Sequence, residues 1–185
     1  EEVIATSEIL LKKVESDSKN KITKIYASDF RRTRETAELI SELIGYPKKD
    51  IIYDERLREC AAGGFDGQSW AEHWSFFKNR NEKMFKRAPD GGESVFDVKT
   101  RSAEFMYEID EQNENENILI ITHGLPLRLV KGTASGKTGR DLVRVGWSDV
   151  SDPNASLHEV DWRNLPHNEN YELDIHRPYV DNVKW

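Results

Sequence analysis

The sequence predicts an α/β fold, a three-layer α/β/α sandwich built on a mostly parallel central sheet. Short apolar runs typical of buried strands occur at residues 22–27 and 118–121. Amphipathic stretches of ten or more residues lie before and between these runs. Strands that alternate with helices of this length form βαβ units, in which the strands are parallel and helices cover both faces of the sheet.

Length and composition favour a single soluble domain over residues 1–185, with an irregular polar tail at 163–185. The net charge of -7 argues against nucleic acid or an anionic membrane as partner. A small anionic substrate stays compatible with this charge, because nearby Arg and His side chains set the potential of a pocket. The single cysteine, Cys60, excludes an internal disulfide and favours a reducing compartment such as the cytoplasm.

The N-terminal third predicts a helix, a strand and a second helix. The first helix covers residues 2–15, and its spacing places five residues on an apolar face: Val3, Ile4, Ile9, Leu10 and Val14. Residues 22–27 then form a buried strand. The second helix covers residues 30–44 and stops at Gly45. Four of its residues are predicted to face inward: Ala37, Ile40, Leu43 and Ile44.

The middle of the chain predicts an edge strand, a loop and further helices. Residues 51–53 are a short edge strand, and three glycines make 59–68 a loop. Residues 69–86 form two helical pieces. Residues 93–111 form a helix that follows the turn at 89–92. Its inward positions are predicted to be Val95, Val98, Ala103, Phe105, Met106 and Ile109.

The C-terminal third contains the most strand-like run of the sequence, residues 118–121, which we expect to be a central parallel strand. Residues 125–133 resume a helical pattern, with Pro126 acceptably placed in the first turn. Residues 154–162 alternate apolar and polar side chains, as a half-exposed strand does.

Polar residues follow both predicted strands at their carboxyl ends, the edge at which parallel sheets bind ligands. After the first strand, Arg31, Arg32 and Arg34 offer planar guanidinium groups that suit phosphate oxygens, although solvated surface arginines are more common. After the second strand, His123 can hold a phosphate oxygen when it is protonated. Gly124 beside it lets a ligand approach the backbone, although a histidine in such a place is as often structural.

The loop at 59–68 and the segment after it offer two further candidates. Glu59 can protonate the leaving oxygen of a phosphoester if it is partly buried, although a solvated surface glutamate is the more common interpretation. An aromatic and basic set either caps a substrate or, for its aromatic members, packs in the core. This set is Trp70, His73, Trp74, Phe77, Lys83, Lys86 and Arg87.

Four segments in order resemble motifs of the histidine phosphatase superfamily, which includes the cofactor-dependent phosphoglycerate mutases. Residues 28–37 resemble its Ser-Asp-Leu-x-Arg-x-x-x-Thr-Ala element. Residues 57–67 resemble its Leu-Arg-Glu-x-x-x-Gly-x-Trp-Glu-Gly element, with Phe-Asp in place of Trp-Glu. Residues 89–94 are similar to its Pro-x-Gly-Glu-Ser turn, and 121–124 to the strand end that bears its second catalytic histidine. The Asn-Ala-Ser at 154–156 is also similar to the family.

The resemblance implies a phosphatase of the phosphoglycerate mutase-like fold that forms a phosphohistidine intermediate and needs no metal or other cofactor. It places the phosphate-binding arginine on Arg32, the second catalytic histidine on His123 and the acid on Glu59. Further substrate contacts are expected from Ser28, Gly124, Glu93, Ser94 and Arg87. The implied substrate is a small phosphorylated metabolite, and a homodimer is left open.

The family's nucleophilic histidine lies in an Arg-His-Gly motif, which this sequence does not contain. The other four histidines are interpreted as structural or surface residues: His73, His158, His167 and His176. Either the nucleophile precedes Glu1, which we expect, or the protein is an inactive phosphate-binding module. Residues 60–90 alone separate Glu59 from the Gly-Glu-Ser turn, and this short interval favours hydrolysis over the phosphoryl transfer of a phosphoglycerate mutase.

Overall fold

A computed structural model describes residues 2–76, 87–134 and 152–160 of the chain. These residues divide into two compact units, each assembled from separate stretches of sequence. Unit 1 contains residues 2–58, 112–123 and 152–159. Unit 2 contains residues 59–76, 87–111, 124–134 and 160. The single domain stays a prediction, and the predicted tail at 163–185 lies outside the described residues.

Unit 1 contains a parallel sheet of three described strands in the order β2-β1-β3. These are β1, Lys24–Ala27; β2, Ile52–Tyr53; and β3, Ile118–Ile121. In the register of β1 with β3, Ala27 lies opposite Ile121. The α/β class and the parallel sheet are therefore confirmed, and so is β2 as an edge strand among the described residues.

Among the described strands, β1 lies between the other two and β3 pairs with β1, so the central position of β3 stays a prediction. Burial follows this order. Three consecutive residues of β1, Ile25 to Ala27, are buried, whereas burial alternates along β3. An apolar run thus predicted a strand correctly but did not predict which neighbours it pairs with, because strand order depends on distant segments.

Helix α1, Glu2–Ser16, packs on the sheet through one stripe of its surface. Leu10 is buried in the core, and Val3 and Val14 pack against it while partly exposed. Ile4 and Ile9 are 46% and 60% exposed, so their predicted inward orientation is wrong. At 100° per residue, these two lie well to either side of the stripe that the other three share.

Helix α2, Arg31–Leu43, packs against α1 and the sheet. Ala37 and Ile40 are buried as predicted, and Ile44 packs partly buried at its end. Leu43, however, is 40% exposed, so its predicted inward orientation is wrong. The buried core of unit 1 comprises Leu10, Ile25, Ala27, Ala37, Ile40, Ile51, Leu119 and Ile121.

Unit 2 contains three described α-helices. They are α3, Trp70–Ser75; α4, Val95–Gln112, up to residue 111; and α5, Gly124–Ala134. All six positions of α4 that were predicted to face inward are buried, which confirms its period. Two helical pieces were predicted within 69–86. Helix α3 lies in the first of them, and residues 77–86 lie outside the described residues. None of the helices in the described ranges has both the length and the apolarity to cross a membrane.

Residues 154–160 contain no strand, so the strand predicted over 154–162 is wrong for its described part. The segment instead turns at Asn154 and Ala155 and contacts α1 within unit 1. Thr6 donates a hydrogen bond of 2.5 Å to the Ala155 carbonyl oxygen, and Lys13 forms an ion pair with Glu159. Leu157, an apolar member of the alternating pattern, is 38% exposed, so the alternation does not mark a buried face in this segment.

The burial of Ile25 makes its contribution to stability testable. It is fully buried in the core of unit 1, so Ile25→Ala removes apolar contacts and leaves a cavity. We expect this variant to lower the free energy of unfolding by about 2–5 kcal/mol in urea titrations followed by circular dichroism. The control, Ile9→Ala on the exposed side of α1, should change it by less than about 0.5 kcal/mol. Equal losses would contradict this assignment of the core.

Candidate active site

Ser28 and His123 meet at the carboxyl edge of the parallel sheet in unit 1. Ser28 follows β1 directly, and its N–H donates to the Ile121 carbonyl oxygen at 2.9 Å. His123 lies two residues beyond β3, and its Nε2 is 2.8 Å from the Ser28 hydroxyl oxygen. Both side chains are buried, with exposed fractions of 0% and 8%. Strand register therefore brings together two residues that are 95 positions apart.

Arg32 joins this pair from the first turn of α2. Its Nε donates to His123 Nδ1 at 3.1 Å, and its Nη2 lies 2.9 Å from the same nitrogen. A guanidinium has donors only, so Nδ1 must be the acceptor and the ring proton lies on Nε2. His123 therefore donates to Ser28, and the hydrogen bonds assign a neutral imidazole of defined tautomer.

The charge of Arg32 is available to an anion. Arg32 is exposed, and among the described residues it forms no ion pair with a carboxylate. Its neighbour Arg31, by contrast, pairs with Glu35 at 2.7 Å on the outer surface of α2. A phosphate oxygen that reaches Arg32 from solvent would therefore meet an uncompensated guanidinium beside a buried imidazole.

Phe30 contacts both His123 and Arg32, although it was not among the predicted site residues. Its ring meets that of His123 edge-on with the centroids 5.3 Å apart. The guanidinium carbon of Arg32 is 5.1 Å from the Phe30 centroid, within cation–π range. The only signal in the sequence was its position next to the arginines, because ring contacts depend on the register of β1 with β3.

An ion pair in unit 1 holds the backbone just before Glu59. Arg58 donates to both Asp29 carboxylate oxygens, at 2.7 and 2.5 Å. Hydrogen bonds from Arg58, opposed by partial burial, lower the pKa of Asp29. Through this bidentate ion pair, Arg58 is held beside Asp29, which lies at the junction between β1 and α2. Neither residue was predicted as part of the site, although both lie within motifs that the sequence pointed to.

Glu59 begins unit 2 and is half-buried. Its Oε1 accepts a hydrogen bond from the Cys60 N–H at 3.0 Å, and its backbone carbonyl accepts one from Arg101 at 3.2 Å. A Cβ built on Gly124 would lie 3.9 Å from Glu59 Oε2, so this carboxylate approaches the start of α5. The structure thus places Arg32 and His123 in contact within unit 1, and Glu59 beside Gly124 within unit 2.

The described contacts of Glu93, Ser94 and Arg87 are structural ones. Ser94 is buried and caps α4, with its hydroxyl 2.7 Å from an Asp97 oxygen. Glu93 forms an ion pair with Arg101 at 2.7 Å. Arg87 is exposed and its guanidinium carbon lies 4.3 Å from the centroid of the Phe76 ring. Substrate binding by these three residues stays a prediction.

Other nucleophilic and ligating side chains lie in structural settings. Cys60 is buried, and desolvation, followed by the charge of Glu93, raises the pKa of its thiol to about 12, so it stays protonated at neutral pH. His73 is also buried, which lowers its pKa. His158 pairs with Asp152 at 3.1 Å, whereas His167 and His176 lie outside the described residues. In the described ranges no group of three or more His, Cys, Asp or Glu side chains is placed to hold a metal ion.

Two glycine-rich loops of unit 2 pack backbone against backbone. Gly64 donates its N–H to the Asp90 carbonyl oxygen at 2.9 Å, and Glu93 donates to that of Ala61 at 2.9 Å. A Cβ at Gly63 would lie 2.3 Å from the Asp90 oxygen, and one at Gly92 would lie 2.7 Å from the Ala61 oxygen. The loops can approach this closely only because neither glycine has a side chain.

Parallel α/β sheets bind ligands beyond the carboxyl ends of their strands, where Arg32 and His123 lie in this chain. The chain belongs to branch 1 of the histidine phosphatase superfamily, because the sequence model of that family matches residues 12–167. The family predicted from the four motifs is therefore confirmed.

The proteins similar in sequence include both phosphatases and mutases. The chain is 27% identical to a metal-independent phosphoserine phosphatase of Arabidopsis thaliana, over 69% of its own length and 61% of the relative's. It is 28% identical to a probable phosphoglycerate mutase, GpmB, of Photorhabdus laumondii, over 85% of its own length and 70% of the relative's. It spans about half the length of two other relatives, a phosphoglycerate mutase-like protein of Arabidopsis thaliana and a phosphoglycerate mutase of Gloeobacter violaceus.

Solved structures show the same fold. A mycobacterial glucosyl-3-phosphoglycerate phosphatase superposes with a TM-score of 0.65 at 23% identity, covering 84% of this chain and 73% of that one. Bacillus stearothermophilus YhfR superposes with a TM-score of 0.59 at 28% identity, covering 78% of this chain and 69% of that one. At these identities, the mycobacterial likeness supports the fold, and substrates do not transfer with it.

The backbone contact at Gly63 is expected to make this position intolerant of a side chain. Gly63 has a φ of 57° and its built Cβ meets the Asp90 oxygen, whereas a Cβ at Gly64 would have nothing closer than 3.8 Å. We therefore expect Gly63→Ala to lower the free energy of unfolding by about 1–3 kcal/mol. Gly64→Ala should be nearly neutral. Thermal unfolding of both variants measures the difference, and equal melting temperatures would contradict the close approach of the loops.

The pairing of Asp29 with Arg58 predicts a pH dependence of stability. Since the folded pKa of Asp29 is lowered below its ordinary value of 3.8, the pair stabilises the fold above that value and the effect is lost as the pH falls through the folded pKa. The stability gap between wild type and Asp29→Asn should therefore be wider at about pH 7 than at about pH 3. Arg58→Gln should show the same trend in urea titrations. A gap that stays constant with pH would show that the pair does not stabilise the fold.

Proposed function

We propose that the protein is a phosphomonoester hydrolase that acts on a small phosphorylated metabolite through a phosphohistidine intermediate. The observation that supports this most directly is the contact of Arg32 with His123 at the carboxyl edge of the sheet. The pair combines a permanent cation with a titratable ring. It is exposed on the Arg32 side, where a phosphoryl group can enter.

In this proposal Arg32 and His123 bind the phosphoryl oxygens and stabilise the charge of the transition state. Arg32 donates to His123 Nδ1, and this contact sets the two groups side by side, where one phosphoryl group can reach both. Ser28 would hold the ring in place, because its hydroxyl partners Nε2.

The reaction proceeds in two displacements. A nucleophilic histidine attacks phosphorus, the ester P–O bond breaks, and Glu59 protonates the leaving oxygen. Water then attacks the phosphohistidine, Glu59 accepts its proton, and phosphate and free histidine are released. This sequence lacks an Arg-His-Gly motif, and we expect the nucleophile to precede Glu1. The codons before Glu1 test this directly, since their failure to encode that motif after an apolar strand would remove the nucleophile.

Two considerations favour hydrolysis over phosphoryl transfer. Residues 60–90 leave little room for the long insertion that is typical of the family's mutases between the acid and the Gly-Glu-Ser turn. The phosphoserine phosphatase relative matches 69% of the chain, which supports phosphatase chemistry without naming the substrate. A mutase remains the alternative, because a probable phosphoglycerate mutase matches 85%. We propose a cytoplasmic location, because a sequence with a single cysteine forms no internal disulfide and suits a reducing compartment.

The proposal is tested by phosphatase assays on the full-length protein. It should hydrolyse 4-nitrophenyl phosphate without added metal, and Arg32→Ala or His123→Ala should lower kcat/KM by about 10²-fold or more, because each removes a charge or donor at the phosphoryl group. Arg31→Ala is the matched control, since Arg31 is solvated and paired with Glu35. It should leave the rate within about twofold.

Other outcomes separate the alternatives. Full activity in both Arg32→Ala and His123→Ala would refute the proposed site. Transfer between positions of a phosphoglycerate that outpaces phosphate release would identify a mutase instead. Phosphate binding without turnover in the full-length protein would identify an inactive binding module.

A further inference from the structure

A partly buried ion pair in unit 2 lies beside the backbone at Glu59. Arg101, on the second turn of α4, donates to both Glu93 carboxylate oxygens, at 2.7 and 3.0 Å. The side chains of Arg101 and Glu93 are 16% and 25% exposed. The bidentate geometry sets the orientation of both side chains, and partial burial reduces the screening of their charges by water.

This pair is tied to three consecutive residues that begin with the acid. Arg101 Nη2 donates to the Glu59 carbonyl oxygen at 3.2 Å, and the Ala61 N–H donates to Glu93 Oε2 at 2.9 Å. The Cys60 N–H between them donates to the Glu59 carboxylate itself at 3.0 Å. The position of the Glu59 carboxylate therefore depends on a backbone that Arg101 and Glu93 hold on both sides of Cys60.

Regular secondary structure does not hold this backbone. Residues 59–62 lie between two short 3₁₀ helices, Glu55–Leu57 and Gly63–Phe65, and belong to no helix or strand. Because the ladder of a helix or sheet does not hold these residues, side-chain contacts have a large share in fixing them. The carboxylate also needs an accurate position, since a misplacement of about 1 Å can cost about 10²-fold in rate.

We propose that Arg101 is a positioning residue for the acid Glu59, acting through Glu93 and the backbone of residues 59–61. This inference rests on the proposed function, since it needs Glu59 to be the proton donor. Arg101 itself need not touch substrate. Its role is to hold the carboxylate where the leaving oxygen departs.

The dependence of the rate on the leaving group distinguishes a residue that positions the acid from one that only supports phosphate binding or the fold. A nitrophenolate leaves readily without a proton, whereas an alkoxide needs the acid. Loss of the acid therefore slows alkyl phosphates far more than 4-nitrophenyl phosphate. A variant that only weakens phosphate binding or the fold slows both substrates equally.

The experiment measures kcat/KM of the full-length protein on 4-nitrophenyl phosphate and on an alkyl phosphate, glycerol phosphate. Glu59→Gln defines the signature of a missing acid. Arg101→Gln and the isosteric Glu93→Gln should reproduce it, with a loss of about 10–10²-fold on glycerol phosphate and less than about threefold on the aryl ester. Arg101→Lys should recover little, because a lysine cannot reproduce the fork that binds Glu93 and the Glu59 carbonyl together.

Arg56→Gln is the matched control, because it breaks a comparable ion pair between Arg56 and Asp54. The side chain of Arg56 is 26% exposed and that of Asp54 is 16% exposed. It should affect both substrates alike. The double variant Glu59→Gln/Arg101→Gln adds a second readout. If Arg101 acts through Glu59, the double variant should lose no more on glycerol phosphate than Glu59→Gln alone.

Several results would overturn the inference. An equal loss on both substrates in Arg101→Gln and Glu93→Gln, or losses that multiply in the double variant, would assign Arg101 another role while the proposed function stands. If Glu59→Gln itself shows no dependence on the leaving group, Glu59 is not the acid and both conclusions fail. Should Arg101→Gln not fold, as judged by circular dichroism, Glu93→Gln decides the question.

Discussion

β1 and β3 pair in parallel over four residues each, and this register determines what lies at the carboxyl edge of the sheet. Because Ala27 is opposite Ile121, the first polar residues beyond the two strands emerge side by side. Ser28, His123 and, from the next helix, Arg32 form a chain of hydrogen bonds there. A shift of the register by one residue would point the side chains beyond one strand to the other face and dissolve this contact.

Arginines serve two different purposes in this chain, and their partners distinguish them. Arg58 and Arg101 are each neutralised by a carboxylate in bidentate geometry, and each holds backbone next to or at Glu59. Arg32 has no such carboxylate among the described residues, and its fork points at an imidazole. An acidic protein with a net charge of -7 can therefore still present a local cation to a phosphate.

The loop that contains Glu59 is held by backbone proximity as well as by charge. Glycines at 63 and 92 let it approach the turn at 89–93 to distances at which a Cβ would clash. Glu93 links the two features, since its backbone N–H bonds to Ala61 and its carboxylate pairs with Arg101. Proline, glycine and glutamate at 89–93 thus shape the loop that contains Glu59.

The sequence by itself determined the helices, the strands and the family, because period, turn residues and motifs are local properties of the chain. It identified β1, β3, α2 and α4 within one or two residues at most ends. It misjudged Ile9, Leu43 and residues 154–160, since burial there depends on neighbours far along the chain. Only the tertiary structure revealed the contacts of Phe30, Arg58 and Arg101, because strand register and loop packing, which bring distant residues together, leave no local pattern in the sequence.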